Sequence, residues 1–314
     1  MMNRKNFLKT IAGGSLALSL MPEHLLAGSF IPTGKGIKKL TILHTNDQHS
    51  RIEPFDATYT RNPNQGGFAR RAHLISEIRR REQDVLLLDS GDVFQGTPYF
   101  NMFGGELEFR LMSMMGYDAC TMGNHDFDNG LEGFLKVLPN ASFPFVCSNY
   151  NFKNTILDGY TLPFKILKRN GLNIGLFGLG IKLEGLVGKK QYQETEYTDP
   201  VSVAQHYSDF LKKEKQCDLV ICLSHLGYQY DDDRVSDVQL AKKTENIDLI
   251  LGGHTHTFLP EPQQYTNRAG KKVLVNQVGW AGLLLGRIEY YFDQNKNINS
   301  IAWSHHVIDD KIPV

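Results

Sequence analysis

Gly123-Asn124-His125-Asp126-Phe127-Asp128 follows the strand-like run Ala119-Cys120-Thr121-Met122 and places four polar side chains directly beyond it. Short apolar runs read as buried strands. Polar residues just past a strand's carboxyl end stand where open α/β sheets build their sites. Within this block Asn124 offers a neutral carbonyl ligand, His125 is a candidate acid, and a carboxylate, Asp126 or Asp128, is available to orient its ring. A packing role explains the block poorly, because each polar group buried there would need its own partner.

Four further blocks share the format. Leu40-Thr41-Ile42-Leu43 leads to Asp47 and His49, Val85-Leu86-Leu87-Leu88 to Asp92, Leu219-Val220-Ile221-Cys222-Leu223 to His225, and Leu249-Ile250-Leu251 to His254 and His256. The Asp47-Gln48-His49 spacing predicts a carboxylate and an imidazole on one side of an extended segment, since strand side chains alternate with a period of two. The same reasoning puts His254 and His256 on a shared face, with Gly252 and Gly253 admitting close approach of backbone or metal. Gly91 lets the chain turn sharply and carry Asp92 over the sheet end, where its carboxylate can bridge two metals. Singly, these residues have ordinary explanations: Asp47 as a turn former, Asp92 as a helix N-cap or Asx turn, His225 as a packed imidazole. Together the five blocks imply one dinuclear metal centre.

Between the blocks the chain alternates in character. Gly67 to Arg80 reads as a helix through Arg71, Leu74, Ile75 and Ile78 and precedes the Val85 run. Leu107, Leu111 and Met114, with Phe109 and Met115, form an amphipathic segment before Ala119, and Val203 to Leu211 precedes Leu219. This repeated strand–helix–strand order predicts an α/β fold. Arg169-Asn170-Gly171 between Phe164–Leu167 and Asn173–Phe177 is a hairpin signal, and Val273-Leu274-Val275 and Gly286 to Tyr290 flank a Gly-containing connection read the same way. Hairpins mixed with crossovers predict a mixed sheet, or two. No internal repeat or low-complexity tract interrupts the chain, and the irregular stretch from Lys182 to Tyr197 reads as a surface loop.

The 314 residues, 41% hydrophobic, suit one globular domain, taken as residues 30 to 314. Lys plus Arg and Asp plus Glu both total 34, so no net field recruits a nucleic-acid polymer or an anionic membrane. Residues 1–29 read as a cleaved export signal: Arg4 and Lys5 precede the apolar stretch Ile11 to Met21, and Ala27-Gly28-Ser29 resembles a processing site. Eleven apolar residues are too few to span a bilayer. Asn3 to Lys9 resembles a twin-arginine signal with Lys5 at the second Arg, which leaves the Tat and Sec routes both open. No Cys follows, so no lipid anchor is expected. The expected location is periplasmic or otherwise outside a bacterial cytoplasm. Cys120, Cys147, Cys217 and Cys222 lack metal-site spacing and read as buried small hydrophobes rather than a disulfide framework. His44 reads as a packed strand residue. His73, His206, His305 and His306 lie outside the ligand blocks, and His24 belongs to the export segment.

In order, Asp47-x-His49, Gly91-Asp92, Gly123-Asn124-His125-Asp126, the lone His225 and Gly253-His254-x-His256 resemble the motifs of the calcineurin-like metallophosphoesterases. The longer strings His44-Thr45-Asn46-Asp47, Gly91-Asp92-x-x-Gln95-Gly96-Thr97, Asp126-Phe127-Asp128-Asn129-Gly130 and Gly252 to Thr257 resemble the 5'-nucleotidase subfamily, over residues from about 39 to 308. The resemblance implies a four-layer αββα metallophosphoesterase sandwich, two mixed β-sheets with helices on both outer faces. It also implies two divalent ions: one on Asp47, His49, Asp92 and His256, the other on Asp92, Asn124, His225 and His254, with Asp92 bridging. Oxygen and imidazole donors without thiolate suit Zn, Mn, Fe or Co about equally. Such a pair, ~3.5–4 Å apart, activates water for in-line displacement at phosphorus. His125 would then stabilise the transferring phosphoryl group or protonate the leaving oxygen, and Asp128 would hold its ring. Asp126 stands where many relatives carry Glu, a supporting position.

Typical 5'-nucleotidases continue into a second domain that supplies arginines for phosphate and stacked aromatics for the base. No such C-terminal nucleotide-binding domain is expected in this chain. The expectation is therefore a catalytic subunit or domain of an exported 5'-nucleotidase acting on nucleotide phosphoesters, completed by a separate nucleotide-binding chain or working alone with broad specificity. The same metal site also serves 2',3'-cyclic-nucleotide phosphodiesterases, nucleotide-sugar hydrolases and a thiosulfohydrolase. A noncatalytic protein that captures phosphate compounds is a further alternative, which an intact His125 disfavours.

Overall fold

A computed structural model describes residues 36–314; the export segment expected at residues 1–29 lies outside the described residues. Strands β1 (Lys38–Thr45), β2 (Val85–Asp89) and β3 (Ala119–Cys120) run parallel, and β1 also pairs antiparallel with β12 (Leu284–Phe292), which pairs with β13 (Ile298–Val307). These five make the first sheet, in the order β13-β12-β1-β2-β3. The second sheet has a parallel centre of β6 (Leu172–Gly180), β8 (Leu219–His225), β9 (Leu249–Leu251) and β11 (Lys272–Asn276), with antiparallel edges β5 (Lys165–Arg169) and β10 (Gln263–Thr266). Its order is β10-β11-β9-β8-β6-β5. The described crossovers carry α1 (Phe68–Arg81), α2 (Pro98–Phe103), α3 (Glu106–Met115), α4 (Gly130–Val137), α5 (Lys189–Tyr192), α6 (Pro200–Asp209) and α7 (Asp237–Lys243).

Strand alternation shows why two sheets stack. Leu40, Ile42, Leu86 and Leu88 of the first sheet meet Ile174, Leu176, Leu219, Ile221 and Leu223 of the second in one buried cluster. The intervening Leu43 and Leu87 face the other way, onto Ile75 and Ile78 of α1 and Phe109 and Met112 of α3. On the far side, Val220, Cys222 and Ile250 pack against Val203 and Ala204 of α6 and Leu240 and Ala241 of α7. The layers are thus helix, sheet, sheet, helix, as the resemblance implied. A strand such as β2 is buried on both faces, so it shows no polar alternation. Leu86, Leu87 and Leu88 are each fully buried, and each contributes about 1.5–3 kcal/mol through that burial.

The Asn170-Gly171 turn joins β5 to β6 as expected, with positive φ at both positions, 50° and 69°. Three other local expectations are corrected. The Val273 and Gly286 segments are not a hairpin: β11 lies in the second sheet and β12 in the first, so their connection crosses between sheets over the site. In α3 the core face is Phe109, Met112 and Met115, whereas Met114 is 83% exposed, because three-residue steps keep one side of this helix inward. Lys182 to Tyr197 is pinned rather than free. It contains α5 and β7 (Glu196–Tyr197), which pairs with β4 (Tyr150–Asn151), and Leu183 is buried. All four cysteines are buried and unpaired.

Candidate metal centre

The parallel strands deliver their carboxyl ends to one side of the stacked sheets, and there the five blocks converge. Convergence requires an abrupt change of direction after three of these strands, β1, β2 and β9. Asp47, His49, Asp92, His254 and His256 all take positive φ, between 47° and 71°. Non-glycine residues held there cost of order 1–3 kcal/mol each and concentrate where function requires them. This corrects the period-two reading. β1 ends at Thr45, so Asp47 and His49 are not on an extended segment, and the chain is instead held by Asp47 N–H donating to the Gly91 carbonyl (2.9 Å) and His49 N–H to the Asp92 carbonyl (3.0 Å). The left-handed turns likewise separate His254 and His256 into different clusters.

The donor atoms fall into two groups, Asp47, His49 and His256 in one and Asp92, His225 and His254 in the other, with the atoms of each group within 4.8 Å of one another. His49 Nε2 and His256 Nε2 are 2.9 Å apart, and His256 Nε2 is 3.3 Å from Asp47 Oδ1. Asp92 Oδ2 lies 3.0 Å from His225 Nε2 and 3.9 Å from His49 Nε2, which places it between the groups. Asn124 Oδ1 stands 2.8 Å from His254 Nδ1. Every residue predicted as a ligand is therefore at one locus.

The arrangement fits a pair of cations on its own chemistry. The Ser90 carbonyl can only accept, so His225 Nδ1 donates to it at 2.7 Å, and His225 Nε2 presents toward the carboxylates. That atom is fully buried and has no aligned hydrogen-bond partner, although Asp92 is close. Phe94 carbonyl holds His49 Nδ1 in the same manner at 3.3 Å. Burial disfavours charge on His225, but the Asp92 and Asp47 carboxylates outweigh it and push the imidazole up to about 10. Burial likewise works against the Asp92 carboxylate, and His225 and His49 outweigh it, holding the group well below the usual range. Imidazoles facing each other beside two carboxylates form a donor set for divalent metal, with oxygen and nitrogen ligands and no thiolate.

Two glycines make the blocks fit. A Cβ on Gly123 would overlap Asp92 Oδ1, and one on Gly91 would lie 2.5 Å from the Gly123 nitrogen. Asp126 supplies the support expected of it: its buried carboxylate accepts N–H bonds from Asp92 (3.0 Å), Val93 (3.0 Å) and Gly123 (2.8 Å), tying two blocks together. Burial, reinforced by Asp92, raises it to about 7. At the mouth, His125 Nδ1 and Asp128 Oδ2 are 2.9 Å apart. This hydrogen bond is the largest influence on His125 and raises its pKa.

The site opens into a cavity of about 270 Å³ lined by ligand residues together with His125, Gln95, Gly96 and Trp280. Sequence reasoning missed Trp280 and Gln95 as site residues. Trp280 sits on the connection misread as a hairpin, and no local pattern marks it. It also missed the polar support behind the site, where the buried Arg71 guanidinium donates to Gln48 Oε1 and Gln48 Nε2 donates to Asp89 Oδ2 at 2.8 Å. An Arg on the apolar face of a helix was the available signal. His44 is packed as expected, its Nε2 2.9 Å from Asn276 Nδ2.

A four-layer sandwich with two His/Asp triads at its strand ends defines a metallohydrolase-type scaffold. The calcineurin-like phosphoesterase profile matches residues 40–258, and the chain belongs to that family. Its relatives include the snake venom 5'-nucleotidase of Gloydius brevicauda, 34% identical over 91% of this chain and 50% of the relative. The 5'-nucleotidase of Homo sapiens is 32% identical over 92% of this chain and 53% of its own length. Among solved structures, a 5'-nucleotidase precursor from Thermus thermophilus superposes with a TM-score of 0.79 at 30% identity, covering 88% of this chain and 55% of that one. The chain thus spans about half the length of these relatives.

Proposed function

We propose that the chain is a metal-dependent phosphoester hydrolase of the 5'-nucleotidase kind that releases phosphate from nucleotides. The observation that carries this reading is the convergence of two triads around Asp92, which accepts the His125 backbone N–H at 2.8 Å, beside the His125–Asp128 pair. Asp47, His49, His256 and Asp92 would hold one ion, and Asp92, Asn124, His225 and His254 the other. When bound, such a pair supplies Lewis acidity and a nucleophile at neutral pH. The chain's own residues do the rest. His125, kept protonated more readily by Asp128, donates to a phosphoryl or leaving oxygen at the cavity mouth. Asp126 holds the Asp92 and Gly123 backbones rigid while charge develops, so little reorganisation is needed during the reaction.

The 5'-nucleotidase relatives support nucleotides as the substrate class. Arg4, Lys5 and the apolar stretch after them support export to the periplasm or beyond. The test is hydrolysis with added Mn or Zn, beside an Asp92→Asn control, read as phosphate release from AMP and ADP, nucleotide release from UDP-glucose and 2',3'-cyclic AMP, and p-nitrophenol release from bis(p-nitrophenyl) phosphate. Metal-dependent release from AMP that the control lacks is the expected result. Turnover of the activated diester alone would reject nucleotidase activity for the isolated chain and point to a separate nucleotide-binding partner.

A further inference from the structure

His256 differs from His225 and His49. Those two are oriented through Nδ1 by the Ser90 and Phe94 carbonyls, while His254 Nδ1 faces the Oδ1 of Asn124, a candidate ligand of the same ion. Such contacts to the second nitrogen fix the tautomer and the direction in which a histidine presents its ligating atom. The His256 ring has no such contact among the described residues: its polar neighbours, His49 and Asp47, both lie at Nε2. Its side chain is also 38% exposed, against 7% for His49 and none for His225. A ring so placed is free to rotate unless something else restrains it.

Trp280 supplies that restraint. Its indole lies nearly parallel to the His256 ring, 5° between planes with centroids 5.5 Å apart, and edge-on to His49 at 6.4 Å. Phe55 abuts the indole at 5.8 Å and 68°, a T-shaped contact. The backbone around Trp280 is anchored to the segments that carry the ligands. Gly279 N–H donates to the Thr257 carbonyl (2.9 Å), Asn46 Nδ2 donates to the Gly279 carbonyl (2.6 Å), and Ala281 N–H donates to the Asp47 carbonyl (2.7 Å). Ala281 accepts a positive φ of 57° to make this connection. The plane of the indole is thereby referenced to residues flanking both Asp47 and His256.

Resting on the ligand assignment proposed above, we infer that Trp280 is a positioning residue that holds His256 by ring stacking, replacing the kind of hydrogen bond that orients His225 and His49. Aromatic pairs of this kind contribute ~0.5–1.5 kcal/mol beyond burial. The prediction is specific to one half of the centre.

The test is calorimetric titration of metal-free protein with Mn²⁺, comparing wild type, Trp280→Phe and Trp280→Leu, with His256→Ala and His225→Ala identifying the two binding steps. Trp280→Leu should weaken the step lost in His256→Ala by about 2–10-fold, the stacking energy converted at 1.4 kcal/mol per tenfold, and leave the other step unchanged. Trp280→Phe, which retains a stacking ring, should restore most of that affinity. Should Trp280→Leu fail to fold, Trp280→Ile makes the same comparison. Unchanged affinities in the aliphatic variant, equal weakening of both steps, or a Trp280→Phe no better than the aliphatic variant overturns the inference. If His256→Ala itself leaves both steps intact, the ligand assignment has failed; if it removes one step and the aliphatic variant does not, only the role of Trp280 has.

Discussion

In the half of the centre formed by Asp92, His225 and His254, the His225 side chain is completely buried and its Nδ1 is bonded to a backbone carbonyl. In the half formed by Asp47, His49 and His256, one imidazole is more than a third exposed and lies against an indole from a connection between sheets. Each half has two buried ligands and one partly exposed histidine, so the difference lies in support. The His225 half is framed by blocks locked to one another through Asp126 and two close-packed glycines. The His256 half completes itself with side chains from the last block and from the β11–β12 connection. Preorganisation therefore differs across a few ångströms, and the His256 half is the one expected to exchange its ion more readily.

The largest effect should come from the residue that belongs to both halves. Asp92→Asn is expected to lower metal-dependent phosphate release by roughly a thousandfold or more, since several kcal/mol of charge stabilisation depends on that carboxylate. Two retained equivalents of metal with near-normal turnover would contradict its bridging position. Next, His125→Asn should reduce release by about 10²–10⁴-fold while both metal affinities stay as in wild type. A loss of metal instead would make His125 part of one half rather than the acid above them.

Asp128→Asn sharpens the same point through pH. The Asp128 hydrogen bond raises the His125 pKa, so removing the carboxylate lowers it, and the protonated imidazole is lost at lower pH. The alkaline limb of the rate profile should move to lower pH, and an unmoved limb would detach His125 from proton donation. The comparison of depth is tested by His225→Ala and His256→Ala in the metal-free protein. Truncating the buried imidazole should cost about 2–4 kcal/mol in denaturant unfolding, and the exposed one within ~0.5 kcal/mol. Equal costs would erase the distinction. The smallest effect is one of order: stepwise chelation should empty the His256 step before the His225 step.

Much of the site was legible because its ligands lie within a few residues of strong strand signals. Val85 to Leu88 and Leu219 to Leu223 are buried on both faces, and such runs announce both the strand and its end. The local geometry beyond those ends was misread. Alternation was extended past Thr45 into Asp47 and His49, where the backbone is left-handed rather than extended. It was also applied to His254 and His256, which serve opposite halves. Trp280 left no trace in any window and Arg71 only its place on an apolar helix face, because their partners lie far away along the chain.

By itself the sequence determined the α/β class, the candidate ligand types and a candidate acid beside two carboxylates, since each is expressed by residue identity and short spacing. Only the tertiary structure decided the left-handed turns that bring the candidate ligands together, which imidazoles are locked by hydrogen bonds, and that an indole stands against His256. Those choices follow from stacking two sheets. Bringing strand ends from both together requires left-handed turns and contacts between distant segments, and neither leaves a periodic signal along the chain.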